Sequence, residues 1–329
     1  MAAKITDDAV WVTWERQTRN RSASAFFNVP LFEIIYDGSH KATRYAKSVI
    51  RTLWILFEKK PRYFFAQNPS VVLAVLAVAV GRLAGCKVII DAHNAGIHGH
   101  EKSGRLLPKL NRFVIRQADA VIVTNQELAD HVTLLRGTPI VLPDPLPHFP
   151  AVAEPERLDK ANKLKALCIT SWSDDEPFLD IIGATTQFSD TIDFYFSGNY
   201  KKIVDQLPPE MPTNVFLLGF VGEQDFHRHL FSSDFCIDMT RRTDCMVCGA
   251  YESIAAEKPI ILSDTAVQRG YFSRGTVFSK SGRKDIAVAI ETMRDNLASL
   301  KAEASELKAE IQKREAAGKA TLVSRILEL

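Results

Sequence analysis

Short apolar runs alternate with helical stretches from one end of this chain to the other, and this alternation limits the possible folds more than any other feature. Runs rich in Val, Ile, Phe and Tyr predict strands in the first half at residues 9–13, 31–35, 63–66, 87–91, 120–124 and 140–142. Helices are predicted between them at residues 41–59, 70–84, 105–116 and 126–135. Such alternation is typical of βαβ units, so we expect a mostly parallel, doubly wound sheet.

A proline-rich segment divides the chain. Residues 143–156 contain five prolines, which neither a helix nor a central strand accommodates, so we predict an interdomain linker at residues 146–156. The alternation then resumes, with strands predicted at 166–170, 192–197, 215–218, 235–238, 259–262 and 276–278 and helices at 176–187, 223–231, 249–256 and 283–314. The expected fold class is therefore α/β, with two Rossmann-like, doubly wound parallel-sheet domains facing across a cleft. They would occupy residues 1–145 and 157–329, and the second would end in a long exposed helix.

Composition fits an ordinary globular protein, with 46% hydrophobic and 24% charged residues in a chain of 329. The five cysteines show no regular spacing, which favours reduced thiols and indicates a cytoplasmic location. The N-terminal segment lacks the basic and then apolar order of a signal peptide. The longest apolar run, residues 71–80, is too short to span a bilayer, so we expect a soluble protein that contacts membranes at most peripherally.

Charge is distributed unevenly between the two halves. Residues 1–150 contain 19 Lys and Arg against 12 Asp and Glu, whereas residues 151–329 contain 22 against 27. The basic first half favours an anionic partner, either a membrane face or a phosphorylated acceptor, although two domains can also differ in charge without any ligand. The aromatic and basic stretch at residues 51–65 adds to the membrane interpretation, the alternative being a helix core followed by a buried strand. We expect no nucleic-acid partner.

Open parallel sheets bind ligands beyond the carboxyl ends of their strands, so polar residues at those positions are the candidates for a site. The predicted loop at residues 15–21 follows the first strand and carries three arginines, which bind phosphate through paired N–H groups and keep their charge. The alternative is a solvated loop with surface ion pairs. The candidates for binding an acceptor are Glu15, Arg16, Arg19, Arg21, Asn68 and Asn94.

The segment from Asp244 to Asp264 is the second informative one. A helix predicted to open at Gly249 directs free backbone N–H groups and its positive dipole end outward, which suits a phosphate. Glu252 then falls in the first turn, where a carboxylate is stabilised and can accept hydrogen bonds from ribose hydroxyls. The alternative is that Glu252 only caps its helix.

This segment is similar to the nucleotide-sugar signature of the retaining family 4 glycosyltransferases, in which seven residues separate two glutamates. Asp244 and Glu252 have that spacing, with Asp in place of the first Glu. Residues 195–198, 214–222 and 234–238 resemble the same family in the same order. Residues 67–70 and 88–94 resemble the chitobiosyl-diphosphodolichol β-mannosyltransferase and bacterial exopolysaccharide glycosyltransferases. The resemblance extends over residues 10–296.

The resemblance implies a GT-B glycosyltransferase that moves a hexose-type sugar from a nucleotide-sugar donor to a lipid-diphosphate-linked or saccharide acceptor, in exopolysaccharide or glycan assembly. It implies no cofactor and no metal. Glu252 would hold the donor ribose, and Asp244 would bind the sugar hydroxyls. The residues implied to line the diphosphate and the base are Gly249, Ala250 and Tyr251, followed by Phe220 and Val221.

The resemblance also implies a reacting face in the first domain, formed by His93 with Asp91; the alternative is that both are polar core residues. Two departures from the family pattern concern phosphate. The usual Gly-Gly loop after the first strand is replaced by the arginine-rich loop, and the Arg and Lys-Gly pair after the first strand of the second domain is missing. Ser171 stands in that second place, so Arg241 and Arg242, or the lysines at 201 and 202, would neutralise the diphosphate instead.

Three other functions stay open. A nucleotide-sugar 2-epimerase would have several buried carboxylates in an acidic cleft, whereas the first domain is basic. A catalytically silent scaffold would account for the missing basic pair. A NAD-dependent dehydrogenase is disfavoured, because no G-x-G-x-x-G follows a strand. The single pair Cys245 and Cys248 and the carboxylates at residues 174–176 do not predict a metal site.

Overall fold

The computed structural model describes residues 5, 8–38, 40–68, 70–92, 96–97, 106–149 and 163–329. The chain divides into two compact units: unit 1 consists of Met1–Pro145 with Arg314–Leu329, and unit 2 consists of Leu146–Lys313. Each unit is built on one six-stranded sheet, and the strand pairs among the described residues are parallel. The prediction of two Rossmann-like parallel-sheet domains is therefore confirmed.

The sheet of unit 1 has the strand order β2-β1-β3-β4-β5-β6. Its strands are β1 (Ala9–Thr13), β2 (Leu31–Glu33), β3 (Tyr63–Asn68), β4 (Lys87–Ala92), β5 (Ala120–Val123) and β6 (Pro139–Val141). The helices described between them are α1 (Thr18–Phe27), α2 (Lys41–Lys59), α3 (Val71–Leu83), α4 (Leu106–Gln117) and α5 (Gln126–Leu134).

Both sides of this sheet are buried, because alternate side chains of each strand enter different cores. Phe64 packs in the core beneath α2, α3, α4 and α5, whereas its neighbour Phe65 packs in the core on the other side, which α1 helps to cover. The period of two residues sends successive strand side chains to opposite faces. This explains why the strands are continuous apolar runs rather than alternating ones, as is usual for parallel sheets.

The sheet of unit 2 has the strand order β12-β11-β10-β7-β8-β9. Its strands are β7 (Leu164–Cys168), β8 (Ile192–Ser197), β9 (Val215–Gly219), β10 (Phe235–Asp238), β11 (Ile260–Ser263) and β12 (Thr276–Ser279). Its helices are α6 (Phe178–Thr185), α7 (Glu223–Ser232), α8 (Cys248–Ala255), α9 (Ala266–Tyr271), α10 (Arg283–Asp295) and α11 (Leu297–Leu327). The strands β7, β8 and β9 follow one another toward one edge of the sheet, and β10, β11 and β12 follow one another toward the opposite edge. The strand order therefore reverses between β7 and β10, which is the switch point of this sheet.

Two assignments from the sequence were wrong. The region at residues 283–314 is not one helix, because α10 ends at Asp295 and α11 begins at Leu297. Residues 314–329 belong to unit 1 and not to the second domain, since Ile326 is fully buried in the core that contains Phe27 and Tyr63. The predicted linker falls partly outside the described residues; of its described part, Leu146 is buried in a core of unit 2.

Within the described ranges, no helix combines the length and the apolarity that crossing a bilayer would demand.

Candidate functional site

The switch point of unit 2 brings together the loops that follow β7 and β10. These two strands are hydrogen-bonded neighbours, so their carboxyl ends lie side by side. The Thr240 hydroxyl donates to Asp175 Oδ2 at 2.8 Å, and the Arg241 backbone N–H donates to the carbonyl of Asp175 at 2.6 Å. The structure therefore joins segments that are about 65 residues apart in sequence at the position where open α/β sheets bind ligands.

The loop after β7 forms an anion site, and a carboxylate of the chain fills it. Glu176 accepts hydrogen bonds from the backbone N–H of Ser171 at 3.0 and 3.1 Å, from the Ser171 hydroxyl at 2.5 Å and from the backbone N–H of Trp172 at 2.9 Å. Trp172 has a left-handed φ of 61°, and its buried indole N–H donates to the carbonyl of Ser197. Successive N–H groups aimed at one point form a nest of the kind that binds phosphate.

Burial raises the pKa of Glu176, and Asp175 raises it further, while the hydrogen bonds from Ser171 and Trp172 act in the opposite direction. The carboxylate is thus held by strong donors in a place where ionisation is costly. An anionic ligand that reached the nest would have to compete with it.

A second carboxylate lies at the end of β10. Asp238 is 8% exposed, and its Oδ2 accepts the backbone N–H of Gly249 at 3.0 Å. A Cβ atom at position 249 would stand 2.4 Å from that oxygen, so only glycine allows this approach. Burial raises the pKa of Asp238 well above its ordinary value, and the charges of Glu176, Glu252 and Asp175 raise it further. The edge of unit 2 is therefore rich in carboxylates.

The N-terminus of α8 differs from the prediction. The helix begins at Cys248, the N–H of Gly249 is bonded to Asp238, and the N–H of Ala250 donates to the carbonyl of Val247 at 3.2 Å. The expected free N–H groups at Gly249 and Ala250 are thus already used within the protein. The Tyr251 ring is buried against Tyr271 and Phe272, so its side chain serves the core.

Glu252 lies in the second turn of α8 and not in the first, because the helix starts earlier than predicted. The residue before the helix is Val247, which makes no side-chain cap hydrogen bond. Glu252 is half-buried and close enough to Asp238 to raise its pKa. It therefore belongs to the same carboxylate cluster.

The two predicted phosphate-binding arginines are present at this edge and already interact with acidic residues. Arg241 donates to the carbonyl of Glu176 at 2.9 Å and to Asp180 at 3.0 Å. Arg242 lies 3.4 Å from the Asp175 carboxylate. Both side chains keep substantial exposure, 47% and 35%. Solvent-exposed pairs of this kind are weak, so the arginines can exchange partners at little cost.

Three further candidates lie on nearby loops of unit 2. Phe220 is 86% exposed directly after β9, where Gly219 with φ of 73° turns the chain. Val221 and Asp244 are half-buried. Burial raises the pKa of Cys245 to about 12, and Asp238, Asp175 and Asp244 contribute to this increase. Asp244 is therefore electrostatically part of the same acidic region.

Unit 1 contains a buried ion cluster built around Arg19. Its Nη2 lies 2.6 Å from Asp91 Oδ1, its Nε donates to both oxygens of Asp91 at 3.1 Å, and its Nη1 donates to Asp144. The side chains of Arg19 and Asp91 are fully buried. Burial lowers the pKa of Arg19, but Asp144 and Asp91 raise it by more, so the guanidinium stays charged.

The prediction of an arginine-rich loop at residues 15–21 was wrong for its second half. Residues 18–21 form the first turn of α1, which places the Arg19 side chain in the interior, where it belongs to the ion cluster. Arg21 on the same helix pairs with Glu33 at 3.0 Å. Arg16, which precedes the helix, is 61% exposed and pairs with Asp37 at 2.9 Å; Glu15 is exposed beside it.

The end of β3 carries two buried amides at the switch point of unit 1. Asn68 is 1% exposed and donates to the carbonyl of Gly96 at 3.0 Å, and Gln67 contacts the hydroxyl of Thr13. Among the described residues, Gln67 Nε2 and Asn68 Oδ1 have no hydrogen-bond partner. His93 and Asn94 lie outside the described residues. The predicted pair of Asp91 and His93 is thus described only for Asp91, whose carboxylate is bound by Arg19.

Sequence reasoning missed Glu176 and Asp238. From the sequence, Glu176 is the first residue of a predicted helix, and Asp238 is the last residue of a predicted strand. The available signal was position, because each follows or ends one of the two strands that flank the switch point. No group of three His, Cys, Asp or Glu in the described ranges has the spacing of a metal site.

Comparison with known proteins agrees with this architecture. Residues 10–144 match the family described as glycosyl transferase 4-like domain. No curated protein matches the chain. HepE from Anabaena, solved in complex with UDP-glucose, is 14% identical, with a TM-score of 0.71 over 96% of this chain and 90% of its own.

Two other solved structures are similar in fold. Sucrose-phosphate synthase from Thermosynechococcus elongatus is 12% identical, with a TM-score of 0.69 over 91% of this chain and 82% of its own. The α,α-trehalose 6-phosphate synthase from Burkholderia multivorans is 13% identical, with a TM-score of 0.60 over 87% of this chain and 76% of its own. The chain thus has the GT-B fold that these structures share, and its residues 10–144 match the glycosyl transferase 4-like domain.

Proposed function

We propose that the protein is a glycosyltransferase that moves a hexose-type sugar from a nucleotide-sugar donor to a lipid-diphosphate-linked or saccharide acceptor, in glycan or exopolysaccharide assembly. The observation that carries this proposal is the glycosyl transferase 4-like match over residues 10–144. HepE, which is similar in fold, is known in complex with UDP-glucose, UDP and glucose. We therefore choose a UDP-sugar as the first donor to test.

The donor would bind at the switch point of unit 2. The exposed ring of Phe220 offers a surface on which a nucleotide base can stack. Glu252 would accept hydrogen bonds from the ribose, and Asp244 from the transferred sugar. The diphosphate would take the N–H groups of Ser171 and Trp172, which now hold Glu176.

The reaction mainly requires that the negative charge on the departing nucleotide diphosphate be stabilised. Arg241 and Arg242 are exposed enough to turn from their acidic partners toward phosphate oxygens. Once the donor is bound and these groups are in place, they would stabilise the charge that develops on the diphosphate, and such stabilisation is the largest contribution in many transfer reactions. Protonation of Glu176 would remove the competing charge from the nest and is assisted by its raised pKa. We assign no metal or cofactor to this step.

Thermal unfolding with UDP-, GDP-, ADP- and dTDP-sugars tests this proposal. A nucleotide-sugar at about one hundred times its Kd should stabilise the protein by about 2.7 kcal/mol.

Glu252→Gln should weaken binding of both the nucleotide and the nucleotide-sugar while the unliganded protein unfolds as before. Asp244→Ala should weaken binding of the nucleotide-sugar only. No shift with any donor would favour a catalytically silent scaffold.

A nucleotide-sugar 2-epimerase is the second candidate, because the carboxylate cluster around Asp238 gives the acidic site that such an enzyme would have. The two functions differ in their need for an acceptor. Incubation with a UDP-sugar alone, followed by separation of the products, decides between them: an isomeric UDP-sugar identifies an epimerase, whereas transfer that begins only when an acceptor is added identifies a glycosyltransferase.

A further inference from the structure

Three neighbouring helices of unit 1 expose apolar side chains to solvent. Eight of the fourteen large apolar side chains that are exposed among the described residues lie on α2, α3 and α4. The helices cover the same side of the sheet, and α3 packs against both α2 and α4. We call the solvent side of these three helices the outer face. Clusters of exposed apolar side chains on a globular protein often mark a contact surface.

The spacing along α2 shows that its exposed apolar residues form one stripe. Ile50, Leu53, Trp54 and Phe57 follow the i, i+3, i+4, i+7 pattern and are 66%, 39%, 48% and 79% exposed. The side toward the sheet is formed by other residues, among them the buried Ile55 and Leu56. The helix therefore has two apolar sides, of which its own unit covers one. Residues 63–65, which the sequence also suggested for a membrane contact, form the buried strand β3.

The adjoining helices continue this surface. In α3 the single charged residue is Arg82, and Val72 and Leu83 are 42% and 89% exposed at its two ends. In α4, Leu106 and Phe113 are 69% and 47% exposed. A surface helix normally carries polar residues on its solvent side. The solvent sides of α3 and α4 carry these apolar residues as well as polar ones. The apolar stripe of α2 therefore has further exposed apolar side chains on the neighbouring helices.

The charged side chains on these helices are almost all positive. Lys and Arg number five in α2, one in α3 and three in α4, against the single carboxylate of Glu58. Among the described residues, only Lys59 of these cations is paired with a carboxylate. The Arg51 guanidinium lies over the Trp54 ring, 4.2 Å from its centroid, so a cation and an aromatic ring are presented together.

We propose that the outer face docks this protein on a bilayer surface that carries anionic headgroups. Apolar and aromatic side chains would enter the headgroup region while Lys and Arg meet the lipid phosphates, with each cation contributing about 1 kcal/mol. A second copy of the chain does not suit this face, because a two-fold contact would bring like charges together. At about 1.5 Å per residue, the thirteen residues of α3 extend about 20 Å, which is less than the bilayer core of about 30 Å, so the proposed contact is with the bilayer surface and does not span it. This docking goes beyond the proposed function, since it needs no sugar transfer.

Vesicle flotation tests the proposal, with phosphatidylcholine vesicles prepared with and without phosphatidylglycerol. The parent protein should float with phosphatidylglycerol vesicles at low salt and be released at high salt. The double variant Trp54→Ser with Phe57→Ser, and the double variant Lys47→Gln with Arg51→Gln, should each lower the partition coefficient by roughly tenfold or more. Circular dichroism of each variant checks that its fold is retained.

Matched controls change equally exposed residues elsewhere. Val204→Ser, where Val204 is 55% exposed, and Val288→Ser on α10, where Val288 is 62% exposed, both change residues of unit 2 and should float like the parent. The inference is overturned if the parent stays in the soluble fraction at low salt, if the face variants float like the parent, or if the controls lose as much binding. It is also overturned if the parent is a dimer that Phe57→Ser converts to a monomer. Donor binding measured on the same samples tests the proposed function separately.

Discussion

The Glu176 carboxylate occupies the nest of backbone N–H groups after β7, where a phosphate could bind. It would therefore compete with an anionic ligand for those N–H groups. Glu176→Gln keeps an oxygen that can accept from Ser171 and Trp172 but removes the charge. We expect UDP to bind this variant on the order of tenfold more tightly near neutral pH, corresponding to about 1.4 kcal/mol. Isothermal titration calorimetry measures the change directly.

The difference in UDP affinity between Glu176→Gln and the parent should depend on pH. Because the pKa of Glu176 is raised, the carboxylate is protonated at low pH and becomes a competitor as the pH rises through that raised value. The advantage of Glu176→Gln over the parent should therefore be small in acid and grow with pH. Glu291→Gln, which removes an exposed carboxylate on α10, should leave UDP affinity unchanged at every pH. A constant ratio between the Glu176 variant and the parent across pH would contradict the competitor role.

Arg19 is a buried arginine and Arg16 is an exposed one, so their substitution compares the two kinds of ion pair. Arg19→Gln leaves Asp91 and Asp144 buried without their cation, so we expect a loss of about 3–5 kcal/mol in the free energy of unfolding of unit 1. Arg16→Gln breaks an exposed pair with Asp37 and should cost less than about 1 kcal/mol. Urea denaturation measures both. A stable Arg19→Gln protein with lost acceptor binding would instead support a ligand role for Arg19.

The sequence predicts which residues stand at the strand ends, but it does not predict what each one contacts. Arg19 and Arg21 follow β1 as expected, yet only the fold shows that Asp144 lies beside Arg19. The same holds for Gly249, whose N–H was expected to meet a ligand and meets Asp238. Such contacts join residues far apart in the chain, and no local pattern encodes them.

At the level of elements, two glycines at the ends of β8 and β9 provide a matched test of packing: Gly198 follows β8, and Gly219 is the last residue of β9. Gly198 has φ of 87°, and a Cβ atom there would lie 2.0 Å from the carbonyl oxygen of Thr170. Gly219 has φ of 73°, and a Cβ atom there would meet nothing closer than Tyr200 at 3.9 Å. We expect Gly219→Ala to cost about 1 kcal/mol from backbone strain alone, and Gly198→Ala about 3 kcal/mol or more. Equal losses in thermal unfolding would show that the contact with Thr170 is easily relieved.

The long elements were predicted best, because their apolar pattern is strong. The helix over residues 41–59 has the predicted bounds, whereas α1 was missed. The buried side of α1 includes Arg19, Asn20, Ser22 and Ser24, so no apolar periodicity marks it. The short helix α9, at Ala266–Tyr271, was also missed, since six residues carry too little pattern. The break between α10 and α11 falls at Asn296, a single polar residue inside a region of high helix propensity.

On the scale of the whole molecule, the division after Pro145 was visible in the sequence through its prolines, whereas the return of the C-terminus to unit 1 was not. Helix α11 is one continuous element, and its composition is uniform in Ala, Leu, Glu and Lys. Which unit each turn joins depends on the cores that Ile311 and Ile326 enter. Tertiary packing therefore decides that the last turns of α11 belong to unit 1, although they follow unit 2 in the sequence.

Ile311 and Ile326 therefore offer a test of this assignment on one helix. Both are fully buried, Ile311 in a core of unit 2 and Ile326 in the core of unit 1 that contains Phe27 and Tyr63. Each change to Ala should cost about 2–4 kcal/mol through lost burial and a cavity. Hydrogen exchange locates the loss, because it reports local stability rather than one global value. Ile326→Ala should speed exchange in β1 and β3, and Ile311→Ala in β7 and β10. If Ile326→Ala instead affects β7 and β10 and leaves β1 and β3 protected, the last turns of α11 do not stabilise unit 1.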